Sequence, residues 1–270
     1  MAVKKKMLPK NLYHRIVPTA IKKRIFSYVN AYIKHEVQKK ANGEVLYGPF
    51  KGMRIDMEEG PLLCSFLGTI EKEIHPAFAK LSIFRFEQII NIGASNGYYA
   101  VGMALKWPDA TVYAFEMQEV LHAMITKLAS DNSVSDRVNI RGYCSSGDLV
   151  NLLTPDKSTL LMLDVEGDEI NLLDPLAIDG LLRATILVEL HDMVVPGCSR
   201  ILEERFQNTH SISKYTTRPR TLKDFPLRAW NIINPIIGPF AVRAITERFV
   251  TQEYFLMIPK DCRAILEVIK

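Results

Sequence analysis

The sequence lacks any apolar run of the roughly 18 residues that a membrane span needs. The nearest candidate, AWNIINPIIGPFAV from Ala229, is short and interrupted by Asn and Pro. The start, MAVKKKMLPK, is basic but has no long apolar stretch behind it, so we expect no signal peptide. The four cysteines are far apart and form no CxxC pair, which predicts reduced thiols in a cytoplasmic protein, without a disulfide framework or zinc site. They are Cys64, Cys144, Cys198 and Cys262.

Acidic residues are almost missing from the first 40 positions. Eleven Lys or Arg stand there against Glu36, a balance of +10, whereas the whole chain carries +4 and the remainder therefore −6. Ile21, Ile25, Tyr28 and Tyr32 recur at helical spacing and predict a basic amphipathic helix within an N-terminal extension, residues 1–42. This helix either packs on its own domain or contacts an anionic membrane surface peripherally. Nucleic acid is disfavoured because aromatic and basic residues do not interleave elsewhere.

From Glu87 onward, strand-like and helix-like stretches alternate. The strand candidates are 88–93, 111–117, 137–143, 159–166 and 185–192, and the helical patterns are 98–106, 118–131, 146–153 and 168–177. Upstream, 44–57 reads as two short extended pieces and 61–81 as helices. The strands are rich in Val, Ile and Leu, as is typical of parallel strands buried on both faces. The pattern predicts an α/β, Rossmann-like, doubly wound sheet with its ligand crevice at the carboxyl ends of the strands.

The carboxyl end of the first strand is a glycine-bounded turn, Gly93-Ala94-Ser95-Asn96-Gly97. Glu116 ends the second strand, 19 residues after Gly97. A carboxylate about 20 residues beyond such a turn can bind the ribose hydroxyls of an adenosine. The alternative is a tight strand-helix connection without a ligand.

A third strand end, 142–146, is small and polar. It either lines an adenine pocket through Cys144 or provides a helix N-cap at Ser145 or Ser146.

The turn lacks two phosphate-binding patterns. No Gly-Lys-Ser/Thr follows it, which excludes a P-loop, and Ser95 and Tyr98 replace two glycines of the dinucleotide pattern G-x-G-x-x-G. These replacements narrow the space for a pyrophosphate. S-adenosylmethionine has no phosphate, and its cationic sulfonium favours acids at the later strand ends. The turn therefore favours S-adenosylmethionine.

Several segments resemble the FkbM-type class I methyltransferases. They are INIGASNGYYAVGMA (90–104), FEM (115–117), LDVEGDE (163–169) and VELHD (188–192), with YGPFKGM (47–53) and LGTIEKEIHP (67–76) upstream. The resemblance covers roughly residues 45–260, and its most specific motif is D-x-E-G-x-E. It implies a Rossmann-like fold, S-adenosylmethionine bound by Gly93–Gly97 and Glu116, and methyl transfer to a hydroxyl of a sugar or natural product. Ser95 departs from the commonest alternating-glycine pattern.

The chemistry of methyl transfer identifies candidate catalytic residues. The reaction is an in-line displacement that depends on positioning, and a hydroxyl acceptor also benefits from a base. The fourth strand delivers Asp164 and Glu166, and the fifth delivers Glu189, His191 and Asp192. His191 is the candidate base because its ordinary pKa lies near neutrality, with Asp164 and Glu189 beside it.

Other roles stay open for these side chains. His191 could instead cap the next helix, and Asp164 and Glu166 could brace the helix that begins near Asp168. A divalent cation held by Asp164, Glu189 and Asp192 is a further alternative, which the spacing does not require.

The last part of the methyltransferase domain, which spans 43–270, contains two more strand candidates, 211–217 and 251–259. The last is expected to be antiparallel beside the fifth, giving a mostly parallel seven-stranded sheet. The long connection 218–250 is expected to cover the acceptor site, with Arg218, Arg220 and Arg228 facing an anionic substrate, or else only to pack.

Three functions remain open from the sequence. The first is an S-adenosylmethionine-dependent O-methyltransferase acting on a small-molecule acceptor, such as a sugar or glycolipid. The second is a catalytically silent Rossmann-like module, and the third is an NAD(P)-dependent oxidoreductase.

Overall fold

The computed structural model describes residues 19–56, 62–227, 238–247 and 251–262. Within these ranges, no helix combines the length and the apolar character required to cross a membrane. Arg228 lies outside the described residues, as do residues 1–18 of the proposed membrane-facing segment 1–40. The division into domains at residue 42 remains a prediction.

A seven-stranded sheet forms the centre of the molecule, in the order β3-β2-β1-β4-β5-β7-β6. The strands are β1 Gln88–Ile92, β2 Thr111–Phe115, β3 Val138–Arg141, β4 Thr159–Leu163, β5 Thr185–Leu190, β6 His210–Thr216 and β7 Glu253–Pro259. The first five strands run parallel, and β7 is antiparallel to both β5 and β6. The predicted mostly parallel sheet with an antiparallel last strand beside the fifth is confirmed.

Three of the described α-helices precede β1, and six follow it between the strands. They are α1 Thr19–Ala41, α2 Leu63–Leu67, α3 His75–Leu81, α4 Tyr98–Lys106, α5 Glu119–Asp131, α6 Ser146–Leu152, α7 Glu169–Leu172, α8 Cys198–Phe206 and α9 Gly238–Ala244. The helix predicted over 168–177 is wrong beyond Leu172. Pro175 disfavours helical geometry at Asp174, and the Asp174 carboxylate instead accepts a hydrogen bond from the Leu176 amide.

The sheet is covered on both faces, as its apolar strands require. Alternate residues of β1 enter two different core clusters, Ile89 on one face and Ile90 with Ile92 on the other. All three are at most 4% exposed. Burying an aliphatic side chain of this size contributes about 1.5–3 kcal/mol. Burial on both faces stabilises the sheet. Polar side chains can lie at the carboxyl edge, where the strands end.

The N-terminal helix packs on its own domain through a face other than the predicted one. Ile33 and Val37 are buried against residues of α2, α9 and the 218–227 segment. Tyr28 and Tyr32 are instead 66% and 52% exposed. The tyrosines of the predicted stripe are therefore not on the packing face, and the side chains of Ile21 and Ile25 lie outside the described residues. The face about one-third of a turn away carries the smaller aliphatic residues that fit the cluster.

The predicted extended pieces before α2 are not strands. The two pieces are joined by an isolated bridge between Glu44 and Arg54 and by main-chain hydrogen bonds such as that from the Val45 amide to the Met53 carbonyl at 2.8 Å. Gly48 and Gly52 both have positive φ angles, which turn the chain twice and prevent a continuous ladder.

Candidate active site

The turn after β1 is tight for reasons internal to the chain. Gly93 has a φ of +80°, and a Cβ there would lie 1.8 Å from the carbonyl oxygen of Asp164. Gly97 has a φ of +88°, and its Cβ would lie 3.2 Å from the Cα of Ile125. Ala94 between them is buried. Both glycines are thus required by packing, and the glycine pattern alone does not identify a ligand.

The Glu116 carboxylate links the turn to the end of β2. The Ser95 amide, at a positive φ of 49°, donates to Glu116 Oε2 at 2.8 Å, and the Gln118 amide donates to Oε1 at 2.8 Å. Asn96 turns its Oδ1 back to accept from the Tyr98 amide at 3.2 Å. Each Glu116 oxygen keeps a second lone pair that can accept a hydroxyl proton.

The hydrogen bond between the Ser95 amide and Glu116 also indicates which class of nucleotide cofactor can bind the turn. The Ser95 amide is directed to a carboxylate, so the turn carries negative charge where a dinucleotide fold would present amides to pyrophosphate. That charge disfavours a phosphate and suits a cationic ligand.

A cavity of about 220 Å³ borders the turn beside α5, and its lining includes Asn96, Tyr98 and Met124. It is smaller than the roughly 300–1,000 Å³ of ordinary ligand pockets. This cavity alone therefore does not accommodate a whole nucleoside cofactor.

The third strand end presents a helix cap. Ser145 and Asp148 form a capping box at the start of α6, so the N-cap alternative is confirmed at Ser145. The Cys144 thiol is 2% exposed in the core cluster, and burial raises its pKa to about 12. Cys144 can therefore offer a cofactor only its main chain, whereas the neighbouring Tyr143 ring is exposed.

The three predicted catalytic residues come together at the ends of β4 and β5. The Nε2 atom of buried His191 lies 3.6 Å from Asp164 Oδ1 and 3.8 Å from Glu189 Oε1. Glu166 Oε2 is 3.4 Å from the same atom and is largely exposed. Because the Asp164 main chain contacts Gly93, this cluster lies at the same sheet edge as the glycine turn.

The other nitrogen of His191 has a partner that the sequence reasoning missed. His191 Nδ1 lies 2.5 Å from Glu169 Oε1, and the Glu169 side chain is completely buried. Burial alone lowers the pKa of His191, but the hydrogen bond and charge of Glu169, with Glu189 and Asp164, raise that pKa above its ordinary value. Glu169 Oε1 also accepts from the Gly167 amide at 3.2 Å, just before α7. The helix-brace role considered for Asp164 and Glu166 remains a prediction.

Glu71 is a second side chain that the sequence reasoning missed. It is buried and has a positive φ, and its Oε2 accepts from the Tyr99 hydroxyl at 2.5 Å. One oxygen each from Glu71, Asp164 and Glu189 lie within 4.8 Å of one another. Glu71 is 93 positions before Asp164 in the sequence, and no local pattern predicts that they meet.

Asp192 does not join this group. Its carboxylate caps α8, accepting from the Gly197 amide at 3.2 Å and from the Ser199 amide and hydroxyl. The cation site considered from Asp164, Glu189 and Asp192 is therefore wrong, because local helix capping turns Asp192 away. Asp164, Glu166 and His191 also have ligand atoms within 4.8 Å, but acids cluster in this way without metal, and the spacing alone identifies no cation.

Two arginines of the 218–250 segment, Arg218 and Arg220, form ion pairs within the protein. The buried Arg220 guanidinium pairs with Glu73 and lies 3.2 Å from Glu247, whose other oxygen accepts from the Glu71 amide at 2.8 Å. Arg218 binds Asp224 at 2.6 Å and holds the pKa of that carboxyl well below its usual range. The expectation that Arg220 faces an anionic substrate is wrong, because Glu73 and Glu247 neutralise it in the interior. Arg218 is 56% exposed and shares Asp224 with Lys72, so its role toward an acceptor remains a prediction.

Comparisons with known proteins return structural likenesses only. No known family profile matches the chain, and no curated protein matches it. The O-methyltransferase TomG from Streptomyces achromogenes, involved in tomaymycin synthesis and solved with SAM, is 11% identical with a TM-score of 0.44. That match covers 92% of this chain and 94% of the other.

Two further structures are similar at the same level. An O-methyltransferase from Bacillus cereus in complex with SAH is 11% identical over 92% of this chain and 96% of its own, with a TM-score of 0.46. A precorrin-6y C5,15-methyltransferase from Geobacter metallireducens is 13% identical over 75% and 94%, with a TM-score of 0.45. At these values no residue role or activity carries over to this chain, and the FkbM-type assignment remains a prediction.

Proposed function

We propose that this protein is an S-adenosylmethionine-dependent methyltransferase that methylates a hydroxyl of a small-molecule acceptor. The observation that carries the proposal is the adjacency of two groups at one sheet edge. At the first group the Ser95 amide donates to the Glu116 carboxylate, which would bind the ribose. The second is an acidic group of Asp164 and Glu189 around His191. A cationic sulfonium fits beside carboxylates, whereas a pyrophosphate does not.

The residues present fit this cofactor in the chemistry of their donors and acceptors. Gly93 to Gly97 would follow its amino-acid and ribose portions, Glu116 would accept from the ribose hydroxyls, and the main chain at Cys144 would border the adenine. When bound, S-adenosylmethionine supplies a methyl group that is activated for in-line displacement.

Side chains of the protein orient the acceptor and remove its proton. The reacting hydroxyl donates its one hydrogen bond to the Nε2 atom of His191, which removes the proton as the new carbon-oxygen bond forms and the methyl-sulfur bond breaks. Asp164 and Glu189 orient the acceptor by accepting from its other hydrogen-bond donors. The proton then leaves to solvent through Glu166, whose exposed carboxylate lies 3.4 Å from Nε2. Positioning supplies most of the acceleration, and the base adds to it.

The acceptor that suits this group is neutral and hydroxylated, or cationic. Glu71, Asp164 and Glu189 surround it with negative charge, and Arg220, which could have bound an anion, is buried against Glu73 and Glu247. A sugar, a glycolipid headgroup or a natural product with free hydroxyls meets this requirement. Methylation of such an acceptor would be an FkbM-type activity. An acceptor carrying a phosphate or carboxylate next to the reacting hydroxyl should be rejected.

We further propose that residues 1–40 contact an anionic membrane peripherally. Their charge of +10 and the exposure of Tyr28 on the face of α1 away from the core support this contact. Each Lys or Arg near such a surface contributes about 1 kcal/mol.

Calorimetry with four ligands tests the function. S-adenosylmethionine and S-adenosylhomocysteine should bind, whereas NAD and NADP should not. Binding of NAD alone would favour an oxidoreductase, and binding of none of the four would leave the catalytically silent module.

A further inference from the structure

We infer that Glu169 is a positioning residue that holds His191 with its proton on Nδ1 and its Nε2 atom directed to the acceptor. This inference rests on the proposed function. It assigns a role to a side chain that has none in the cofactor or acceptor contacts described above.

The geometry of the pair carries the inference. His191 Nδ1 lies 2.5 Å from Glu169 Oε1, so the ring and the buried carboxylate are hydrogen-bonded. Hydrogen bonds to an ionised carboxylate are stronger than those between neutral groups. The carboxylate has no proton to donate when ionised, so Nδ1 must be the donor. In the neutral ring the proton then stays on Nδ1, and Nε2 keeps the lone pair that a base needs.

Glu169 is itself fixed by contacts on its other sides. Its Oε1 also accepts from the Gly167 amide at 3.2 Å, and the Cys198 thiol lies 3.9 Å from Oε2. The side chain has no exposed surface, so it cannot reach an acceptor or act as the base. A buried carboxylate is costly unless it is paired, and here its charged partner is His191.

The carboxylates around Nε2 explain why His191 needs Glu169 to keep its proton on Nδ1. Asp164 and Glu166 from the β4–α7 loop and Glu189 from β5 all face Nε2 at 3.4–3.8 Å. Without Glu169, these carboxylates would favour a ring with its proton on Nε2, which cannot accept a proton from an acceptor. Cys198 is the titratable group that faces the pair from α8, and burial raises the pKa of its thiol to about 11, so it remains neutral.

Ring ¹⁵N NMR of histidine in the full-length protein, with and without S-adenosylhomocysteine, tests the inference directly. The His191 signal is assigned by its loss in His191→Asn. In the wild type, the neutral ring should carry its proton on Nδ1. In Glu169→Gln, which keeps the shape and removes the charge, His191 should titrate at lower pH and lose this preference. Asp192→Asn is the matched control, because it removes a nearby carboxylate that caps α8 without touching the ring.

A wild-type ring with its neutral proton on Nε2 would overturn the inference, even if the Glu169→Gln protein did not fold. An unchanged His191 titration in a folded Glu169→Gln protein would overturn it as well. Failure of S-adenosylhomocysteine to bind would instead contradict the proposed function, because the ring measurement without ligand is independent of it.

A double-mutant comparison adds a catalytic readout, with release of S-adenosylhomocysteine measured against a methyl glycoside and a catechol as hydroxyl probes. Glu169→Gln should lower kcat by at least about tenfold, and by no more than the about 10²–10⁴-fold that loss of a general base costs. It should have no further effect in the His191→Asn background. An equal loss in both backgrounds would indicate a purely structural role and contradict the inference.

Discussion

Removal of the Glu116 carboxylate should weaken cofactor binding strongly. The side chain spans the ends of β1 and β2, with the Ser95 and Gln118 amides each donating to it at 2.8 Å. In the proposed complex, its two oxygens also accept from the ribose hydroxyls. Charge-assisted hydrogen bonds contribute about 1.5–3 kcal/mol each, so two of them contribute about 3–6 kcal/mol.

Since 1.4 kcal/mol is a tenfold change, Glu116→Ala should raise the Kd for S-adenosylhomocysteine by about 10²–10⁴-fold. Isothermal calorimetry measures this directly, and thermal unfolding with millimolar ligand gives an independent check. The wild-type Tm should rise with ligand, and the variant Tm should rise little.

Glu119→Ala is the matched control, because it removes an exposed carboxylate three residues further on, in the first turn of α5. It should leave the Kd unchanged. Equal binding of S-adenosylhomocysteine to wild type and Glu116→Ala would refute the reasoning, since Glu116 would then only brace the turn through Ser95 and Gln118.

Three further expectations concern the N-terminal helix and the ion pairs. Ile33→Ala should lower the free energy of unfolding by about 2–5 kcal/mol, because it leaves a cavity at a buried site. In the same denaturant titration, Tyr28→Ala should change the free energy of unfolding by less than about 0.5 kcal/mol. Equal losses in the two variants would contradict the assignment of the packing face. Arg220→Gln should cost about 3–5 kcal/mol because two carboxylates lose their buried partner, whereas Arg200→Gln, at an exposed pair, should cost less than about 1 kcal/mol. Deleting residues 1–18 should weaken sedimentation with anionic vesicles, and binding of the full-length chain should fall with salt; equal binding of both proteins would remove the membrane contact.

The sheet was predictable because its determinants are local. The apolar runs at 88–92 and 185–190 report burial on both faces, and the strand-helix alternation fixes the crossovers. The same reasoning placed Asp164, Glu189 and His191 together, because parallel strands present their carboxyl ends at one edge.

What could not be predicted depends on contacts between distant segments. Glu71 reaches the site through a loop that Glu247 and Arg220 hold in place, and these residues are about 150–175 positions further along the chain. The pairing of Arg220 with acids likewise depends on tertiary packing, so composition alone suggested a free anion site there. Asp192 was misjudged for the opposite reason, because a local helix cap competes with the site for its carboxylate.

His191→Asn should keep the fold and the affinity for S-adenosylhomocysteine, while lowering turnover by about 10²–10⁴-fold. The exposed His35 on α1, changed to Asn, is the matched control and should alter neither property. An unchanged rate in His191→Asn would contradict the assignment of the base and leave Asp164, Glu189 or proximity alone to explain the reaction.

The pH dependence gives the sharper test of the same residue. His191 can accept a proton only when its Nε2 is unprotonated, and Glu169, Glu189 and Asp164 raise its pKa above 6.5 in spite of burial. The wild-type rate should therefore rise with pH on the alkaline side of 6.5, and His191→Asn should lose this pH dependence.

The pH dependence of stability has the opposite sign, because a raised folded-state pKa favours the folded protein at low pH. The contribution of the His191–Glu169 pair to Tm should be complete below pH 6.5 and lost as the pH rises through the raised pKa. A rate limb below pH 6.5, with no matching loss of stability above it, would show that His191 is not the titrating base.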